Sequence, residues 1–228
     1  MNPVKSATSV LLLMMLAAPA SASNMGFRVS FRLQPSGFSN WISVPYFYSP
    51  EDFGTPSVVD VEDLCRDLGS PSTVASVMRW DEASSTFVSW TCGDTGTPFT
   101  LVKGTAYGVV NAPGEIVEAS LLGAHDNVFA FDMPATAGSN LSWISIPYHH
   151  KIPDLAPPSG VDAADVCASI GSAATAIIRR DATTGMYIAY ACASTLDTPF
   201  PIAIGTGYGV INSPGQPIAW QVPIYKAN

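Results

Sequence analysis

Trp41-Ile42-Ser43-Val44-Pro45-Tyr46 returns 102 residues later as Trp143-Ile144-Ser145-Ile146-Pro147-Tyr148. The return extends outward from there. Asp63-Leu64-Cys65 comes back as Asp165-Val166-Cys167, and Pro98-Phe99 as Pro199-Phe200. Gly104-Thr105-Ala106-Tyr107-Gly108-Val109-Val110-Asn111 comes back as Gly205-Thr206-Gly207-Tyr208-Gly209-Val210-Ile211-Asn212. A constant order at a nearly constant offset reads as one module of roughly 100 residues written twice. The expected organisation is a leader over 1–22, a first module over 23–124 and a second over 125–228.

Each module opens on alternating apolar residues, Phe27 to Phe31 in the first and Phe129 to Met133 in the second, a half-buried strand pattern. The Trp-Ile-Ser-Val/Ile-Pro-Tyr segment follows as a strand. Its proline lacks an N–H for the ladder, which places Pro45 and Pro147 at a strand end or edge. A short helix comes next, capped by Asp60 in one module and Asp162 in the other. Val61, Leu64, Cys65 and Leu68 fall on one helical face, as do Ala163, Val166, Cys167 and Ile170, with Gly69 and Gly171 at the ends. A hairpin then spans Thr73 to Cys92, and Thr175 to Cys192, before the Gly-rich turn, the Tyr107 or Tyr208 strand, and a Pro-Gly turn into a last strand. The fold class is mainly β with one short helix per module (α+β), as two similar small sheets or barrels of about six strands each.

Four cysteines allow three pairings. Each module carries one in its helix (Cys65, Cys167) and one at a strand end (Cys92, Cys192). A module that keeps its own bridge gives Cys65–Cys92 and Cys167–Cys192; the alternative is two bridges between modules. A loop of this size stabilises by roughly 3–4 kcal/mol on the chain-entropy estimate.

The N-terminus has the pattern of a secretory leader: Lys5, an apolar run from Val10 to Leu16, and Ala20-Ser21-Ala22 before the cleavage point. That run is too short to span a bilayer, and no later stretch reaches the ~20 apolar residues needed. The expected location is extracellular or periplasmic, where disulfides persist. The net charge is −8 with scattered Lys and Arg, which disfavours nucleic acid as a partner. Charged residues make up only 12 % of the chain. Such sparse charge weakens the repulsion between copies and leaves self-association open.

The combination of Asn40-Trp41-Ile42-Ser43-Val44-Pro45-Tyr46, Asp63-Leu64-Cys65, Arg79-Trp80-Asp81 and Gly104-Thr105-Ala106-Tyr107-Gly108-Val109 resembles a β-module repeat of secreted bacterial proteins, often found in tandem. The resemblance covers nearly all of the chain after the leader. It departs at Arg180, which stands where the first module has Trp80. It implies secretion and modularity, and it transfers no catalytic residue.

Candidate sites are few. His149-His150 occupies the positions of Phe47-Tyr48 and offers a weak metal site with Asp154, or an imidazole base for a secreted hydrolase; an exposed polar loop is the better explanation. His125 lies in the linker. Ser residues lack a Gly-x-Ser-x-Gly elbow, and the Gly104 turn lacks a phosphate-loop ending. The carboxylate pairs Glu51-Asp52 and Glu62-Asp63 read as solvated surface. Among the aromatics, Trp41, Trp143, Tyr107 and Tyr208 belong to the shared scaffold and are expected in the core. Trp80, Phe47 and Tyr48 are particular to the first module and form the candidate stacking platform for a ligand. The function expected is non-enzymatic binding or assembly in the extracellular or envelope space, with the protein itself or a surface polysaccharide as partner and no cofactor. Glycan binding by the aromatic platform is the alternative, and a hydrolase or metal enzyme using His149 and His150 a more distant one.

Overall fold

The computed structural model describes residues 27–35, 38–48, 59–70, 72–114, 116–124, 126, 129–135, 140–146 and 161–221. The leader, His125, the His149-His150 pair with Asp154, and Glu51-Asp52 lie outside them.

The chain up to Ala124 forms β1 (Phe27–Leu33), β2 (Asn40–Ser43), β3 (Phe47–Tyr48), α1 (Val61–Asp67), β4 (Val74–Asp81), β5 (Thr86–Thr91), β6 (Ala106–Asn111) and β7 (Val117–Ala124). The remainder forms β8 (Ala130–Met133), β9 (Leu141–Ser145), α2 (Ala163–Ile170), β10 (Ala174–Arg180), β11 (Tyr187–Ala191), β12 (Gly207–Asn212) and β13 (Ile218–Gln221). The pairing is antiparallel throughout these strands. One four-stranded sheet runs β2-β6-β4-β5 and the other β9-β12-β10-β11, the same order in each half. Smaller sheets, β1-β7-β3 and β8-β13, complete the halves. The first half thus has seven strands and the second six among the described residues.

Both helices start as the sequence dictates. The Asp60 carboxylate accepts from the Glu62 and Asp63 N–H groups while Asp63 accepts from the Asp60 N–H; Asp162 and Asp165 repeat this capping box. Val61, Leu64 and Cys65 are buried, as are Ala163, Val166 and Cys167. The chain leaves each helix through a glycine at positive φ, Gly69 at +89° and Gly171 at +87°. Helices of two turns hold only when docked. Disulfides Cys65–Cys92 and Cys167–Cys192 tie each to the end of its hairpin. The Trp90 indole N–H also donates to Glu62 on α1, at 2.7 Å.

In β1 and β8 the register differs from the sequence alignment of Phe27 with Phe129. Val29 and Phe31 pack on Gly205, as Phe129 and Phe131 pack on Gly104. The Asn111 amide donates to the Leu33 carbonyl, as the Asn212 amide donates to that of Met133. Val29, Phe31 and Leu33 are therefore the counterparts of Phe129, Phe131 and Met133. Alternation of period two looks the same after a two-residue slip, so the sequence pattern alone does not set this register.

The two large sheets meet across a seam built from the motif that recurs. Trp41 and Trp143 are buried and stack on each other, with centroids 3.7 Å apart and planes 13° from parallel. The Ser43 N–H donates to the Gly205 carbonyl at 2.8 Å, and the Ser145 N–H to the Gly104 carbonyl at 2.7 Å. Their hydroxyls, both fully buried, donate to the Thr206 and Val44 carbonyls. Ser43 Oγ also accepts from the Ile146 N–H. Tyr46 completes the crossing, its ring 4.5 Å from that of Phe129. At the centre, Ala106 of β6 faces Gly207 of β12. A Cβ added to Gly207 would lie 2.5 Å from the Ala106 Cβ and 3.2 Å from the Ile42 carbonyl oxygen. The seam has room for one methyl group there, which explains why the otherwise similar Gly-Thr-Ala-Tyr-Gly and Gly-Thr-Gly-Tyr-Gly differ at this position.

Gly207→Ala is therefore expected to destabilise the protein by about 1–3 kcal/mol through overpacking. Ala106→Gly in the same chain should recover more than half of that loss. Denaturant unfolding of both single variants and the double variant measures it; purely additive losses would disprove the contact.

Candidate functional site

Where the hairpin of the first half approaches β8 and β9 of the second, the halves leave an open cleft of about 400 Å³. The β4–β5 hairpin presents Trp80 and Glu82 to it, and β8 presents Phe131 and Asp132. Ser142 and Trp143 come from β9, and Lys103 closes one end.

β-pairing sets these positions. Trp80 lies opposite Phe87 in the hairpin register, and their rings meet edge to face at 4.8 Å. Arg79, one residue earlier, points to the other sheet face, its guanidinium carbon 5.2 Å from the Phe99 centroid. The Lys103 ammonium pairs with Asp126 at 2.7 Å and lies 3.8 Å from the Phe47 ring centroid.

Glu82 is the electrostatically unusual group. Burial raises its carboxyl above the ordinary range, the Ser142 hydroxyl eases the charge, and Asp132 and Asp81 add repulsion. Ser142 stands near without closing a full hydrogen bond: its Oγ is buried and has no partner among the described residues. Neighbouring Asp81 shifts the other way, held down by the Ser84 hydroxyl and by backbone N–H groups of the turn. At the cleft a half-buried carboxylate, a second carboxylate and a buried hydroxyl therefore converge beside an indole ring. They can accept and donate several hydrogen bonds to a polar ligand.

The platform expected from Trp80, Phe47 and Tyr48 is divided. Trp80 faces the cleft, whereas Phe47 and Tyr48 line a neighbouring pocket of about 380 Å³. Phe47 is half exposed on the edge strand β3, but Tyr48 is committed. Its hydroxyl donates to the Asp67 carboxylate, and burial together with that carboxylate pushes its pKa up. Lys103 borders both spaces. Trp41, Trp143, Tyr107 and Tyr208 are buried as expected, the two tryptophans at the seam. Each tyrosine hydroxyl accepts an N–H from the preceding turn, Val102 to Tyr107 and Ala203 to Tyr208.

Glu82, Asp132 and Ser142 were not among the residues singled out by sequence. They lie far apart in the chain, in a hairpin turn and two strands, and no local spacing links them. The available signal was a comparison of the halves, of which Trp80 against Arg180 is one instance. Among the described residues no group of three or more His, Cys, Asp and Glu is arranged to hold a metal ion. In comparisons with known proteins, no family model, no curated protein and no solved structure matches this chain.

The raised Glu82 carboxyl means that ionising it costs the folded state, so its contribution to stability is present at low pH and lost as pH rises through the folded value. Glu82→Gln should thus melt above the parent protein at pH 7, with the gap closing below about pH 4, where the parent carboxyl is protonated. Thermal melts across that range test this; an equal gap at both ends would show that the effect is not ionisation.

Proposed function

We propose that this chain is a secreted, non-enzymatic binding protein of the extracellular or envelope space, formed by two β modules locked into one body. The observation that carries this reading is the division of labour among its residues. The recurring ones, Trp41 with Trp143 and Ser43 with Ser145, are buried between the halves. Trp80, Glu82, Asp132 and Ser142, which differ between halves, gather in an open cleft that recurring residues such as Trp143 also border.

That division favours ligand or surface binding over self-assembly, the other role suggested by sparse charge. Two disulfides are compatible with an oxidising compartment outside the cytoplasm. No helix among the described residues is long and apolar enough to cross a membrane.

Light scattering over a concentration series, paired with co-sedimentation on insoluble envelope and extracellular-polysaccharide material, tests the reading. The expected result is a one-chain particle at every concentration that is depleted from solution by that material. Ordered polymers would replace binding by assembly as the role. A monomer retained by nothing would remove both.

A further inference from the structure

The space described above exists twice in this architecture, and the two copies have been treated differently. Opposite the open cleft, the β10–β11 hairpin approaches β1 and β2 in the same way. There the Phe38 ring takes up part of the gap and lies on Gly185, so close that a Cβ added to that glycine would come within 2.7 Å of it. The Arg180 guanidinium carbon sits 5.7 Å from the Phe38 centroid, and Arg180 also donates to the Tyr187 hydroxyl.

Trp80, Glu82, Asp132 and Ser142 on the open side correspond to Arg180, Ala182, Arg32 and Asn40 on the opposite side. The strand registers beneath them agree, Trp80 facing Phe87 as Arg180 faces Tyr187. Ser142 faces Val210 as Asn40 faces Val109. All four lining positions therefore change chemistry on a scaffold whose strand order does not.

Polar accounting singles out one residue of the cleft. The Trp41 and Trp143 indoles and the Arg79 and Arg179 Nε atoms are unpartnered in both halves, so they reflect the shared scaffold. Ser85 Oγ in the hairpin turn, Arg180 Nε on the opposite side and the Ser142 hydroxyl have no such twin, and of these Ser142 lines the cleft. Its counterpart Asn40 is satisfied by the Gln34 backbone and the Val109 carbonyl. Ser142 is 2 % exposed and borders the cleft beside Glu82. A buried hydroxyl without a partner carries a desolvation cost that a bound polar group would relieve.

We infer that the open cleft is a binding site for a neutral saccharide, with Trp80 as the stacking surface and Glu82, Asp132 and Ser142 as hydrogen-bonding partners of its hydroxyl groups. Carboxylates accept charge-assisted hydrogen bonds from neighbouring hydroxyls of a sugar ring. The indole offers an apolar face to the ring's C–H side. The volume lies within the usual range for small-ligand pockets. An anionic ligand would meet three carboxylates, Asp81, Glu82 and Asp132, against two cations, of which Arg79 lies over the Phe99 ring and Lys103 is paired with Asp126. This inference rests on the binding reading above.

The test is calorimetry and tryptophan fluorescence with short neutral oligosaccharides of the cellulose, xylan and chitin types, on the oxidised protein. At least one type should bind the parent protein. Trp80→Ala and Asp132→Asn should each weaken it about tenfold or more, as loss of an anchoring contact does. Phe47→Ala, in the neighbouring pocket, should leave affinity unchanged. Circular dichroism melts verify that each variant is folded, and the milder Trp80→Phe should retain part of the binding.

The inference is overturned if no neutral saccharide binds, if binding survives the Trp80 and Asp132 changes, or if only a small cationic amine binds. Retention of the parent and both variants on envelope material would remove the cleft while leaving the binding role intact. Shortening of the oligosaccharides by the parent protein, lost in the variants, would support the cleft and overturn the non-enzymatic reading.

Discussion

The stacking of Trp41 on Trp143, with Ala106 set against Gly207 beneath, is the contact on which the rest of the structure depends. It brings two four-stranded sheets together at their β2 and β9 corners. Once the indoles are stacked, the strand ends fall where Ser43 and Ser145 reach backbone groups of the opposite half. Those hydrogen bonds are buried, so breaking the seam would leave several polar groups unsatisfied in an apolar setting. Apolar area and polar satisfaction therefore act together, and the halves have little freedom to slide. A cleft whose walls come from both halves requires that immobility, because its hydrogen-bonding groups hold a fixed spacing only when the seam does.

Each half is in turn held by devices of short range. The capping aspartates fix where a helix starts, the disulfide fixes where it sits, and the buried tyrosine hydroxyl holds the turn before its own strand. Burial lifts the Tyr107 phenol to about 12, so it stays a neutral hydrogen-bonding group at any physiological pH. Each half's apolar core gathers one helix, the four-stranded sheet and the smaller sheet, and Tyr46 passes from the first half into the core of the second. Local bonds thus order each half, and the seam joins the halves.

What the sequence discloses follows from this division. Asp60 with Asp63, the Cys65–Cys92 separation and the 81–85 turn are local signals, and helix, bridge and hairpin appear where those signals place them. The Trp-Ile-Ser-Val-Pro segment announces itself by recurring, yet recurrence does not say that its serines bond to the other half. That is a contact between positions about 100 residues apart, and no spacing rule encodes it. The β1 register was ambiguous for the opposite reason, its alternation being too regular. The cleft was hardest to see: Glu82 reads as a turn residue, Asp132 as a solvent-facing strand position, and Ser142 as the residue before a tryptophan. Only their convergence gives them a chemistry. The change from Trp80 to Arg180 was visible from the outset, and it marks the two sides of one difference between an open space and a partly filled one.

The single methyl group at Ala106 has a consequence for partner choice between chains. Two first halves brought together would set alanine against alanine, where the backbones approach too closely for both. Two second halves would set glycine against glycine and leave a void under the stacked indoles. Unlike halves fit best, so the residue pair favours pairing of unlike over like halves. Because unlike halves are joined in one chain, the matching partner is always present at high effective concentration, and exchange between molecules is disfavoured. One carbon atom thus helps keep a chain built of two similar parts folded on itself.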